Sequence, residues 1–186
     1  SGLEVDLRQY GRAVEQYGKP DHTPHVPPTT HPALPIRVLL TGVPLVHGAE
    51  RVLELIEGCG AVVVCMENCS GLKPMLEVVD LDSEPHPVRA IARKYYHLPC
   101  SVMTPNLRRF NDLRALATKF RPHCVIELVW QACLTYDIES YHVRTVVEED
   151  LRLPYLKITT DYSPSDSARI TTRIEALLES VRARLI

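Results

Sequence analysis

The sequence predicts an α/β fold with a doubly wound, mostly parallel sheet, and three observations support it. Short apolar runs alternate with longer segments whose apolar residues recur at helical spacing. Several of these runs are continuously apolar, which is typical of strands buried on both faces of a sheet. The composition, 45% hydrophobic and 24% charged, is that of an average globular domain. We therefore expect a Rossmann- or flavodoxin-like sheet of four to five strands with helices on both faces.

The elements follow in chain order, beginning with two segments that precede the sheet. Residues 1–19 have helical spacing and are predicted to form an N-terminal helix. Residues 20–35 contain 6 of the 15 prolines and three histidines. Proline removes backbone donors and favours extended conformations, so this segment is predicted to be a linker or arm. Its histidines leave metal binding open as an alternative.

Residues 36–186 are predicted to be the α/β domain. The apolar runs predict five strands, over residues 37–43, 61–67, 100–104, 124–130 and 155–159. The helical patterns predict five helices, over residues 48–58, 87–97, 106–120, 137–150 and 165–184.

Charge and hydropathy exclude two classes of function. A net charge of −2 gives no basic surface of the kind that nucleic-acid binding requires. No apolar run approaches the length of a membrane span, and the first residues do not resemble a signal peptide. We therefore expect a reducing, cytoplasmic setting, where clustered cysteines are metal ligands, catalytic groups or buried side chains.

The six cysteines separate by their positions in the predicted fold. Cys59, Cys65 and Cys124 lie on apolar faces of predicted helices and strands and are interpreted as core residues. Ligands of doubly wound sheets bind outside the carboxyl ends of the strands. Cys69 and Cys133 each follow a strand, so they are candidate metal or catalytic residues.

Cys100, at the start of its short predicted strand, is less clear. There is no C-x-x-C pair, so a metal site would have to be assembled by the fold from separate loops. Soft thiolates of this kind suit an iron–sulfur cluster.

Other residues at this edge are weaker candidates. His47, in the loop GVPLVHGAE, could act in acid–base chemistry or simply form a hydrogen bond, and Glu67 could orient a ligand or accept a proton. Lys73 and the pair Arg108 and Arg109 could meet acidic groups or cover a solvated face. The glycine-containing loop could place a phosphate at a helix N-terminus, although it lacks the dinucleotide and P-loop motifs.

Four segments, in the same order, resemble the 2-hydroxyacyl-CoA dehydratase and benzoyl-CoA reductase family. They are GVPLVHGAERVLELIEGCGAVVVCMENCSGLKP, LPCSVMTPNLRR, WQACLTYDIE and TDYSPSDSARITTRIEALLE. The presence of both ENCSG and PCSVMTPN is most similar to the double-cubane cluster branch.

The resemblance implies an oxygen-sensitive cluster, [4Fe-4S] or double-cubane [8Fe-9S], which receives low-potential electrons from an ATP-hydrolysing activator protein. It also implies an acyl-CoA or small-molecule substrate and a homo- or heterodimer. Cys133 resembles the cluster ligand of the carboxy-terminal half of such proteins. Cys69 and Cys100 resemble additional cysteines of the double-cubane branch.

The chain departs from the family pattern at three points. Family members usually carry a preceding α/β half that supplies further cluster ligands, so we expect this chain to be the carboxy-terminal half of a larger protein. Leu134 stands where the family usually has histidine after the cysteine, and Arg169 stands where glutamine is common. Two other functions therefore stay open: an interaction or assembly domain without a cluster, and a phosphate- or CoA-binding module.

Overall fold

The computed structural model describes residues 35–185. The predicted N-terminal helix, the arm up to residue 34 and Ile186 lie outside the described residues. Among residues 35–185, no helix combines the length and the hydropathy that crossing a membrane would require.

The described residues form a four-stranded sheet in which every neighbouring pair of strands is parallel. The strands are β1 (Ile36–Gly42), β2 (Ala61–Glu67), β3 (Cys124–Trp130) and β4 (Tyr155–Thr160). Their order in the sheet is β2-β1-β3-β4. From β1 the chain first adds β2 on one side. It then crosses back to add β3 and β4 on the other side. The switch point, where such folds bind ligands, therefore lies between the carboxyl ends of β1 and β3.

The described residues form five α-helices, and all but the second of them cover the two faces of the sheet. They are α1 (Arg51–Gly58), α2 (Pro87–Tyr96), α3 (Leu107–Phe120), α4 (Leu134–Thr145) and α5 (Ser167–Leu185). Helices α1 and α5 pack on one face, where Val52, Ile56 and Ile174 meet Val38 and Ile126.

On the opposite face, Leu113 and Leu116 of α3 and Val143 of α4 pack against Leu39 and Val125. Because both faces of the sheet are covered, its strands are apolar without alternation, as the sequence predicts.

One predicted strand is wrong. Residues 100–104 form turns instead of pairing with the sheet, and the Met103 amide donates to the Cys100 carbonyl at 3.0 Å. Pro99 and Pro105 bracket the segment and have no amide hydrogen to donate to a strand ladder. Val102 is 66% exposed, so the apolar residues that suggested a strand do not enter the core.

The helix predicted over 137–150 is also revised. Helix α4 begins at Leu134, immediately after Cys133, and a wide turn over Val146–Asp150 follows it. In that turn the Leu151 amide donates to the Val146 carbonyl, 3.0 Å away. The earlier start matters because it places Cys133 at the N-cap of α4.

Gly42 allows β1 to end in close contact with β3. Its φ is +107°, and a Cβ at this position would lie 2.0 Å from the Leu128 carbonyl oxygen. The next amide, that of Val43, donates to the same oxygen at 2.9 Å. Only glycine fits here without displacing the switch point.

Candidate functional site

A row of polar side chains crosses the sheet near its carboxyl edge. The strand register pairs Thr41 with Glu67, Thr41 with Glu127, and Glu127 with Lys157. Paired residues of neighbouring parallel strands point to the same face, so the four side chains lie side by side beneath α3 and α4. Thr41, Glu67 and Glu127 are 0% exposed.

Arg109 of α3 lies over this row and is itself 0% exposed. Its guanidinium donates to Glu67 Oε2 at 3.2 Å and to Thr41 Oγ1 at 3.0 Å, and it binds Glu139 of α4. Glu127 Oε1 is 3.5 Å away. Burial disfavours the charged guanidinium, but the three surrounding carboxylates outweigh that effect and raise the pKa of Arg109.

At Glu127, burial has a larger effect on the pKa than the neighbouring charges and hydrogen bonds have. Burial raises its pKa to about 7, although Arg109 and a 2.5 Å hydrogen bond from the Tyr155 hydroxyl favour the ionised form. Arg109 is shared among three carboxylates, so it does not compensate fully for the desolvation of any one of them. The pKa of this buried carboxyl group therefore stays well above its ordinary value.

Lys73 is the second buried cation, with 1% of its surface exposed. Its Nζ lies 3.0 Å from Glu67 Oε1, but neither atom has a well-aligned hydrogen bond to any described residue. Their separation still makes Lys73 and Glu67 an ion pair, because charge attraction does not depend on hydrogen-bond geometry. The aromatic ring of Tyr136 lies 5.8 Å from Lys73 Nζ and 5.0 Å from the Arg109 guanidinium carbon. Both cations therefore lie within cation–π distance of Tyr136, in the first turn of α4.

Asn106 connects this network to the segment that carries Cys100. Its Nδ2 donates to Glu139 Oε1 at 2.5 Å and to the Cys100 carbonyl at 2.9 Å. Asn106 and Glu139 are 6% and 7% exposed. A continuous chain of buried polar contacts thus runs from β2 through Arg109 to the backbone of Cys100.

The three candidate cysteines lie on three segments that meet this network. Cys69 is exposed and follows Glu67, whereas Cys100 and Cys133 are partly buried; all three thiols are free. The Ser101 hydroxyl donates to Thr135 Oγ1 at 3.3 Å, and Cys133 Sγ is 3.8 Å from the same oxygen. The segments of Cys100 and Cys133 are therefore in direct contact.

Cys69 approaches the same region from β2. The Ser70 hydroxyl accepts a hydrogen bond from the Leu45 amide at 2.8 Å, which joins the Cys69 segment to the loop after β1. Lys73, four residues after Cys69, lies 5.8 Å from the ring of Tyr136 in the first turn of α4. All three cysteine segments therefore border one end of the buried network.

These cysteines are suitable metal ligands in type, but they are not arranged as a finished site. Free, accessible thiols are the ligands that iron–sulfur clusters require. Among residues 35–185, however, no three Cys, His, Asp or Glu side chains are grouped closely enough to hold a metal ion. The donor chemistry fits a cluster, and the side chains would have to close around one.

The other three cysteines lie apart from this edge. Cys65 and Cys124 are 3% and 0% exposed, and burial raises the pKa of each to about 12. Cys59 ends α1 at the opposite edge of the sheet, and burial also raises its pKa. The interpretation of Cys65 and Cys124 as core residues agrees with their burial, whereas Cys59 is only half-buried.

The remaining candidates have contrasting surroundings. The His47 side chain is fully exposed, and its Nδ1 lies 3.4 Å from Glu50. Glu50 occupies the N-cap of α1, where its negative charge disfavours a bound phosphate. Glu67, in contrast, is buried with its carboxylate bound by protein groups. Lys73 and Arg109 do meet acidic groups, and these belong to the protein itself.

Sequence reasoning missed Glu127, Glu139 and Asn106. One signal was present: Glu127 interrupts the otherwise apolar strand CVIELVW, and a charge in a strand buried on both faces requires a buried partner. Arg109 lies four residues before Leu113 on the apolar face of α3, so the partner could have been predicted from helical spacing. Glu139 and Asn106 lie in segments whose packing is not visible in the sequence.

Fold and site together define a doubly wound α/β protein with three accessible thiols beside a buried charged network. Comparison with known proteins agrees with this class. The family model for the D-component of 2-hydroxyglutaryl-CoA dehydratase matches residues 11–181. The chain belongs to that family.

One curated relative comes from Escherichia coli (strain K12) and is named "Putative dehydratase subunit YjiM". It is 36% identical over 143 residues, which is 77% of this chain. The chain spans 37% of that relative's length.

Proposed function

We propose that this chain is the part of a dehydratase or reductase that binds an iron–sulfur cluster through Cys69, Cys100 and Cys133. The observation that carries the proposal is that Cys69 and Cys133 are free thiols shortly after the carboxyl ends of β2 and β3, where doubly wound folds bind ligands. The Cys100 segment is hydrogen-bonded to the Cys133 segment through Ser101 and Thr135. Cys59, Cys65 and Cys124 have no such placement. Membership of the dehydratase family supports the same conclusion.

The cluster, [4Fe-4S] or double-cubane, would supply low-potential electron transfer to an acyl-CoA or another small molecule. In this proposal the electrons come from an ATP-hydrolysing activator protein in a reducing, cytoplasmic setting. Further ligands would come from a preceding half or a partner subunit, which agrees with the chain spanning about a third of its relative. The carboxylate of Glu67 is bound by Arg109 and Thr41, so it would not exchange protons with a substrate. Its role would be to fix the end of β2, two residues before Cys69.

Anaerobic reconstitution with iron and sulfide tests the proposal, and it uses the chain together with the preceding half or partner subunit that supplies the further ligands. We expect bound iron and the broad charge-transfer absorption of a cluster, and we expect Cys133→Ser to lose most of both. Cys59→Ser is the matched control, because Cys59 is also half-buried but lies at the opposite edge of the sheet. An equal loss in the two variants, or no bound iron in the wild-type assembly, would contradict the proposal. The second outcome would favour an interaction domain without a cluster.

A phosphate- or CoA-binding module is the weaker alternative. Glu50 at the N-cap of α1, with Glu54 in the first turn, gives the relevant loop a negative charge. Saturable binding of CoA in a titration calorimeter, lost in a Gly48→Glu variant, would be needed to restore it.

A further inference from the structure

The segment that carries Cys100 belongs to no strand or helix. Val102 and Met103 are exposed, although Ser101 is buried and its hydroxyl donates to Thr135 of α4 at 3.3 Å. A segment with so little regular structure opens more readily than its neighbours unless buried side-chain contacts hold it. The question is therefore which buried contact holds Cys100 in place.

Asn106 supplies the connection. Its side-chain amide is a double donor, to the Cys100 carbonyl at 2.9 Å and to Glu139 Oε1 at 2.5 Å. Glu139 lies on α4, the helix that begins directly after Cys133. One buried amide thus joins the Cys100 segment to the helix that positions Cys133.

Glu139 is held in turn by Arg109, whose guanidinium also binds Glu67, two residues before Cys69. Arg109 and Glu67 are 0% exposed, so water does not compete for these contacts. Stability alone does not explain so many buried charges, because apolar side chains of similar volume are often as stable. What charged groups add is a definite direction for each contact.

We propose that Asn106, Glu139 and Arg109 are positioning residues that hold the Cys100 segment in place relative to Cys133 and Cys69. We call these three residues the buried brace. The proposal rests on the proposed function only in saying that this placement serves cluster binding. The brace itself is a property of the chain and can be tested without a cluster.

The test uses Asn106→Asp in the full 186-residue chain. This change keeps the size of the side chain and a good N-cap residue for α3, but it removes both hydrogen-bond donors. Asn111→Asp is the matched control: it makes the same change in the same helix, at an exposed site where the side chain accepts a hydrogen bond from Arg114. Glu139→Gln is a second variant that disturbs the opposite end of the amide contact and removes the charge that binds Arg109.

The readout is the rate at which iodoacetamide alkylates each cysteine, followed by peptide mass spectrometry under native conditions. We expect Cys100 to react roughly tenfold faster in Asn106→Asp than in the wild-type chain or in Asn111→Asp, since two hydrogen bonds are lost. Glu139→Gln should raise the rate by a smaller factor, because its amide oxygen can still accept from Asn106 while its charge is lost. Cys69, which is already exposed, should change by less than twofold. Cys124, buried in the sheet, reports global unfolding.

Two results would overturn the brace. One is an unchanged Cys100 rate in both variants. The other is a parallel rise at Cys100 and Cys124, which would show that the substitutions only destabilise the fold. If one variant does not fold, the other decides by the same comparison.

Reconstitution separates this proposal from the proposed function. If the wild-type chain, reconstituted with the preceding half or partner subunit, binds no iron but Cys100 is selectively exposed in the variants, the proposed function fails and the brace stands. If the wild-type chain does form a cluster, the brace predicts that Asn106→Asp shifts its reduction potential or its absorption spectrum, whereas Asn111→Asp does not. Identical spectra and potentials, together with identical Cys100 rates, would leave the proposed function standing and refute the brace.

Discussion

Replacement of Glu127 by glutamine should change the pH dependence of folding. The pKa of Glu127 is raised from 4.5 to about 7 in the folded protein. Between these values the folded chain binds a proton that the unfolded chain has released, so raising the pH destabilises the fold. Above about pH 7 both states are ionised and the dependence ends.

The size of the effect follows from the shift. The shift corresponds to about 3 kcal/mol at 1.36 kcal/mol per pKa unit, most of which is lost between pH 5 and pH 8. Glutamine resembles the protonated carboxyl group and cannot ionise. The free energy of unfolding of Glu127→Gln, relative to wild type, should therefore rise by about 2–3 kcal/mol between these pH values.

Urea denaturation followed by circular dichroism measures this difference. Other groups also titrate, including His123, whose pKa is lowered by burial, but they contribute equally to both proteins and cancel. Glu148→Gln is the control: Glu148 is an exposed partner of Arg144, and surface pairs contribute less than about 1 kcal/mol. A difference between Glu127→Gln and wild type that does not vary with pH would refute the reasoning, because a purely steric effect has no pH dependence.

Two further predictions concern the switch point and the sorting of the cysteines. Gly42→Ala should cost at least about 3 kcal/mol of unfolding free energy, because the methyl group meets the Leu128 carbonyl and φ is +107°; Gly48→Ala, with positive φ but no atom within 4 Å, should cost about 1–2 kcal/mol in the same urea denaturation. In native protein at pH 8, iodoacetamide should alkylate Cys69 and leave Cys124 unmodified, since burial raises the Cys124 pKa to about 12 and excludes the reagent. Equal modification of the two cysteines would show that the strand interior opens.

Most of the fold was accessible from the sequence because the strands are buried on both faces. Continuous apolar runs such as AVVVCME and CVIELVW have few alternatives in a chain of alternating strands and helices, and both became strands with the predicted bounds. The prediction failed at residues 100–104, where β-branched and apolar residues have strand propensity but the flanking prolines prevent pairing. The local apolar pattern was enough to predict the two strands. Residues 100–104 depend instead on whether a neighbouring strand is available to pair with them.

The site was only partly accessible, because its organisation depends on register. The sequence shows that Cys69 and Cys133 follow strands, and from that their shared edge can be predicted. It does not show that Thr41 lies between Glu67 and Glu127 in the sheet, since the order β2-β1-β3-β4 and the parallel register set those neighbours. Long-range contacts such as the one from Asn106 to Cys100 depend in turn on that arrangement.

The buried charged network is rigidly held, whereas the cysteine side chains beside it are not fixed in a metal-binding arrangement. Glu67, Arg109 and Glu139 are inaccessible to water, and the removal of one member would leave an uncompensated charge at a cost of about 3–5 kcal/mol. The thiols above them are not arranged as a metal site among the described residues, so their side chains must move when a ligand binds. A cluster that needs ligands from several segments can be assembled only if the backbones of those segments are already close. If the proposed cluster binds here, the network meets that condition through one guanidinium and one amide, while the cysteine side chains remain free to close around the cluster.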